Sequence, residues 1–164
     1  MSLTTGVFAT GLWWLAFSFP AEAADLTLPD PELTPGVSVR ITVRALCHKK
    51  WGRDARHVTA AMKRSVFKKY GLSGNDDPAC LTDAHGRHCE IDHLISRELG
   101  GADVVKNLWP QPYGSQPYNA VRKDRVENRL HKEVCAGRIS LRRAQHEIKT
   151  DYRIPYRRYF GEPE

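Results

Sequence analysis

Four cysteines, Cys47, Cys80, Cys89 and Cys135, restrict this 164-residue chain more than any other feature. Their number is even, and in an oxidising compartment they are expected to close as disulfides. Three pairings are open. Cys80 and Cys89 flank a polar stretch, Leu81 to His88, that could close as a loop. That choice would leave Cys47 for Cys135 and tie the N-terminal part to a late helix. Structural zinc is the rival use of cysteine, but the chain contains no Cys-x-x-Cys pair.

The N-terminus bears on the compartment. Residues 1–23 contain no Lys or Arg, and an apolar run over residues 6–19 ends at Pro20, followed by Ala21-Glu22-Ala23. A short apolar stretch closed by small-x-small reads as a signal peptide cut after Ala23, although the first five residues lack the usual basic charge. An uncleaved anchor is the alternative, but the run is shorter than the roughly 20 residues a spanning helix needs. The expectation is an exported protein, periplasmic or secreted, without stable membrane insertion after cleavage. The oligomeric state is not legible.

The formal charge is +6, and Arg40 is the first basic residue. A basic domain attracts polyanions, nucleic acid foremost, although charge alone also serves solubility. Residues 24–39 hold Pro29, Pro31 and Pro35 and are expected to form an extended lead. Residues 40–164 are expected to form one domain, with its central motif at 89–136. Alternation of Val37, Val39, Ile41 and Val43 with polar residues has the period of a strand. Helical spacing follows over residues 58–70, stopped by Gly71. A strand with its turn is expected at 89–95, and a return strand at 107–109 ended by Pro110 and Pro112. Helices are expected over residues 117–135, with Pro117 in the first turn, and from Ser140 to about Tyr152, where Pro155 forbids continuation.

Four local signals then occur in order: Asp92-His93 at a strand end, Gly100-Gly101 in a turn, Asn107-Leu108 on the return strand, and Asn119 early in a helix. Taken singly, each has a bland reading as a surface pair, a turn, a cap or a solvated residue. Together, with Glu90-Ile91-Asp92-His93-Leu94-Ile95, Glu98-Leu99-Gly100-Gly101, Asn107-Leu108-Trp109-Pro110-Gln111-Pro112 and Lys123-Asp124, they resemble an exported bacterial branch of the HNH nuclease superfamily. The resemblance implies an α+β fold in which a ββα-metal motif is backed by additional helices and stapled by disulfides. It departs from many HNH proteins in having Asn119 where they carry His. Ser96 stands where this branch commonly shows Pro.

The implied function is a metal-dependent endonuclease that hydrolyses phosphodiester bonds with little sequence specificity, with DNA ahead of RNA as partner. Hydrolysis needs an activated water and relief of charge on the leaving oxygen, and a hard divalent ion can supply the second. Asp92 and Asn119 offer oxygen ligands to one ion, magnesium ahead of manganese, nickel or zinc. His93 is the expected general base. Asn107 is expected to hold the loop through side-chain bonds to backbone. Arg122 and Lys123, one turn from Asn119, are candidate phosphate contacts. No metal is assigned to His48, His57, His85, His88, His131 or His146, and Trp109 on the return strand is expected in the core rather than stacked on a base. The alternative is a non-catalytic, exported binder of nucleic acid or another polyanion on the same scaffold. A third class is a membrane-tethered surface protein.

Overall fold

The computed structural model describes residues 25–51 and 56–163. The expected signal peptide, residues 1–23, lies outside them. Among the described residues no helix is long and apolar enough to cross a membrane. The fold is α+β: helix α1 (Val43–His48), helix α2 (Ala60–Lys69), strand β1 (Cys89–His93), strand β2 (Leu108–Pro112), then helices α3 (Ala120–Cys135), α4 (Leu141–Asp151) and α5 (Arg153–Phe160). Short 3-10 turns at Arg97–Leu99 and Val105–Asn107 lie in the connection between the strands.

The strands pair antiparallel, with Asp92 opposite Trp109 and His93 opposite Leu108. Pro110 and Pro112 were expected to end the return strand; Pro112 is the last residue of β2, but Pro110 lies inside it. The amide of Leu94 donates to Asn107 O, and that of Tyr113 to His88 O. Cross-strand bonds in an antiparallel pair fall on alternate residues. The odd-numbered positions of β2 therefore face β1, and the two prolines, having no N–H to give, occupy positions turned outward.

One side of this hairpin rests on α2, through Val66, Ile91 and Leu108. The main core lies among the later helices, where Val126, Leu130 and Val134 of α3 meet Ala144 and Ile148 of α4, Tyr152 between α4 and α5, and Tyr156 of α5. The spacing-four stripe of α3 thus buries as its periodicity requires. Both disulfides are closed, Cys47–Cys135 from α1 to the end of α3 and Cys80–Cys89 at the start of β1.

Four further expectations need correction. The alternating segment 37–43 is no strand: it makes an isolated bridge, Ser38 to Gly101. Thr42 then caps α1 by accepting from the Ala45 amide. Residues 25–39 are not a plain extended lead. Asp30 turns the chain by accepting from the amides of Glu32 and Leu33, Leu26 is buried beside Cys80 and Cys89, and the Thr34 hydroxyl donates to Leu108 O at 2.9 Å. This segment is therefore integral to the domain. Pro117 precedes the helix rather than opening it, because Asn119 is the cap of α3. Finally, Pro155 does not stop helix formation. Asp151 ends α4, and α5 begins at Arg153 with the proline in its first turn, where a missing N–H is tolerated.

Candidate functional site

Asn107 shows how the sequence shapes this region locally. Its side chain is fully buried and makes four bonds to backbone. Oδ1 accepts from the amides of Ile95 and Val37, and Nδ2 donates to Ile95 O and Ala102 O, all between 3.0 and 3.2 Å. This matches the loop-holding geometry expected of it. Gly101 completes the turn: a Cβ there would meet Ile95 O at 1.7 Å, so only glycine allows the close approach.

Held in this way, β1 ends with Asp92 and His93 on the wall of one cavity of about 340 Å³, which Trp51, Arg56, Ser96, Arg97, Glu98 and Glu127 also line. Adjacent strand residues point to opposite faces, and the two converge because the chain bends where β1 stops. His93 is 2% exposed. Its Nε2 lies 2.7 Å from Asp103 Oδ1, and Asp103 also accepts from the His57 amide at 2.8 Å. Burial pushes the Asp103 carboxyl up, but the bonds from His57 and His93 and the nearby Arg97 guanidinium hold it below the ordinary range. An ionised carboxylate only accepts, so Nε2 carries the imidazole proton and Nδ1 keeps the lone pair. Burial lowers the pKa of His93, and the carboxylates of Asp92 and Asp103 offset this only in part. The ring is therefore neutral at neutral pH.

The helix contributes differently from the sequence expectation. Asn119 accepts from the Arg122 amide at 3.1 Å as the cap of α3 and is absent from the cavity wall. The metal-ligand role expected of it does not follow from this placement. Lys123 was a candidate phosphate contact but has no exposed side-chain surface. Its Nζ donates to Asp92 Oδ2 at 2.5 Å, to His93 O at 2.7 Å and to Glu127 Oε1. Arg122, the other candidate, lies over the Tyr156 ring with its centre 5.9 Å from the centroid, and donates to Tyr156 Oη and Pro117 O.

Glu127 is the carboxylate that α3 does bring to the cavity. Ser96 fixes it, donating to Oε2 at 2.9 Å. The Ser96 departure thus touches the charged centre as well as the loop. Burial disfavours the Lys123 ammonium, but Asp92 and Glu127 more than offset this and raise its pKa. Burial also acts against an ionised Asp92, whose carboxyl the ammonium nevertheless holds low. One ammonium cannot balance two buried carboxylates. Burial, with Asp92 close by, accordingly pushes Glu127 up to about 8, and burial with Asp92 carries Asp124 to about 6.

The structure places Asp92 and His93 on one cavity wall and Asn107 behind it, bonded to the backbone of the following loop, and adds Glu127, Asp103 and Ser96. Glu127 was readable as the residue one turn beyond Lys123 on the same helix face. Asp103 carried no local signal, because its meeting with His93 depends on the course of the intervening loop.

The donor chemistry fits a hard cation. Two carboxylates and a carbonyl already gather round one positive charge, and all are oxygen ligands. Asp92 and Glu127 bring carboxylates to the cavity wall and Asn119 does not, and among the described residues no group of three or more His, Cys, Asp or Glu is placed to hold a metal ion. Compared with protein-family models, with curated proteins and with solved structures, the chain matches none.

Proposed function

We propose that this chain is a metal-dependent endonuclease of the HNH type, hydrolysing phosphodiester bonds in nucleic acid with little sequence preference. The observation that carries this reading is the convergence of a neutral, oriented imidazole and two carboxylates on one cavity. A hairpin followed by a helix, β1–β2–α3, is also the element order that the HNH resemblance implies. His93 Nδ1 takes the proton of the attacking water, and Asp103 holds the ring and stabilises the imidazolium that forms. Arg56 and Arg97 on the cavity wall attract the phosphate. Asp92 and Glu127 would hold the divalent cation, magnesium ahead of manganese, nickel or zinc. When bound, that ion relieves charge on the leaving oxygen. Lys123 keeps the two carboxylates together. The closed disulfides suit an oxidising compartment, and export, periplasmic or secreted, is part of the proposal.

The second reading is a non-catalytic polyanion binder. It is favoured by the same ammonium, which already supplies Asp92 and Glu127 with a positive partner. A cleavage panel of single- and double-stranded DNA and RNA, with magnesium, manganese, nickel or zinc, separates the two when wild type and His93→Ala are run together. The nuclease reading expects nicking that falls about 10²- to 10⁴-fold in the variant while binding persists. No cleavage of any substrate with any of the four metals would leave only the binder.

A further inference from the structure

The cavity beside His93 does not end at Arg97. A second hollow of about 300 Å³ adjoins it, and Trp51 and Arg97 stand in the walls of both. Trp51 is fixed in place. Its indole N–H donates to Leu46 O at 3.1 Å, and its ring meets the His131 ring edge-on, with centroids 6.4 Å apart. Cys47, shortly before it in the chain, is bonded to α3. Lys49 lines the second hollow and holds its ammonium 4.4 Å from the Trp51 centroid, so the ring face it covers is turned to that hollow. Val39, 50% exposed, also lines this hollow and extends its apolar floor.

A rigid aromatic plate with an apolar extension and cations along its rim suits a flat, weakly polar ring joined to an anion. Resting on the nuclease reading of the adjoining centre, we infer that the second hollow is a subsite for one unpaired nucleotide next to the scissile phosphate. Its base lies on Trp51 and Val39, in place of the exposed Lys49 side chain, whose ammonium turns to the flanking phosphate. A base stacked within a duplex cannot reach this plate, so the preferred substrate is single-stranded or locally unpaired nucleic acid.

The test uses the His93→Ala protein, so that binding is read without turnover. Its affinities are measured by anisotropy for a labelled six-nucleotide oligothymidylate, for an abasic strand of the same length, and for a blunt duplex. The expected preference for the base-bearing strand over the abasic one is about tenfold to a hundredfold. Adding Trp51→Ala should abolish the preference, and adding Trp51→Phe should keep most of it. Should the alanine variant not fold, quenching of tryptophan emission by oligothymidylate decides the matter, being present with Trp51 and absent with Trp51→Phe. A preference that survives in folded Trp51→Ala, equal affinity for the two strands, or quenching unchanged in Trp51→Phe overturns the subsite. Cleavage assays on the protein with His93 intact keep the two ideas apart. Cleavage indifferent to Trp51 defeats the subsite alone, whereas a Trp51-dependent base preference without cleavage upholds the subsite and defeats the nuclease reading.

Discussion

Replacing Lys123 with Met asks how far charge, rather than packing, holds the centre together. The ammonium has no exposed surface and is bonded to Asp92, His93 O and Glu127. Methionine fills most of the volume of the stem but leaves two buried carboxylates without their donor. Removing one partner of a buried ion pair costs about 3–5 kcal/mol. The retained packing, and the readiness of Glu127 to take a proton, put the expected loss near the lower end, about 3 kcal/mol. With a urea slope of roughly 2 kcal/mol per molar, the unfolding midpoint should fall by about 1.5 M. The pH dependence has a definite sign. A carboxyl raised in the folded state binds protons more tightly there, so its contribution is fully present below its unfolded pKa and is lost as pH rises through the folded one. For Glu127 that interval runs from the ordinary carboxylate value of 4.5 to about 8. Without the ammonium both carboxyls move up, so the deficit of the variant should grow with pH across this interval. Magnesium at ten times its dissociation constant should return about 1.4 kcal/mol to the variant, and less to the wild type. The assay is urea unfolding followed by far-ultraviolet circular dichroism at pH 5 and pH 8, with and without magnesium. A loss under about 1 kcal/mol that is the same at both pH values would refute the electrostatic account.

Other outcomes follow from the same geometry. Asn107→Ala removes four bonds to buried backbone and should lower stability by about 3–4 kcal/mol, with faster amide exchange at Ile95 and Val37; unchanged exchange at both would contradict the clamp. Burial holds the His93 pKa below its ordinary 6.5, so the acid limb of the cleavage rate should lie under that value. Asp103→Asn removes a carboxylate that favours the imidazolium, so that limb should shift further down as kcat drops about 10²-fold; a shift to higher pH would be incompatible with the assigned pair. Cys47–Cys135 joins residues 88 apart in sequence and Cys80–Cys89 residues 9 apart. Loop entropy sets their stabilisation at about 4.5 and 2.5 kcal/mol, and thermal melts of the two alanine pairs should rank them in that order.

What sequence could reveal depended on whether the deciding interaction was local. The stripe of α3 and the Ser140 cap of α4 are written in neighbouring residues, and the structure reproduces them. The alternation at 37–43 misled because period two describes any extended segment, whereas a strand also needs a partner, and Ser38 alone finds one. Pro155 misled because a proline is as compatible with beginning a helix as with ending one. Within the site, Asp92, His93 and Asn107 were singled out by their likeness to the HNH motif, since each alone reads as an ordinary surface, turn or cap residue. Asn119 was chosen for its place in the order of residues, yet the position that caps a helix is where a short amide side chain accepts from the helix's own backbone. The helix face turned to β1 begins one turn later, at Lys123 and Glu127.

The prolines of β2 have a consequence beyond the hairpin. A strand at a sheet margin normally offers a row of amides to any passing extended chain. Here the outward positions Pro110 and Pro112 have no hydrogen to give, the Leu108 amide is spent on Val105 O, and the Leu108 carbonyl is taken by Thr34. That margin offers no free amide donor from Leu108 to Pro112, so crowding these proteins together should not drive sheet growth or fibril seeding from it.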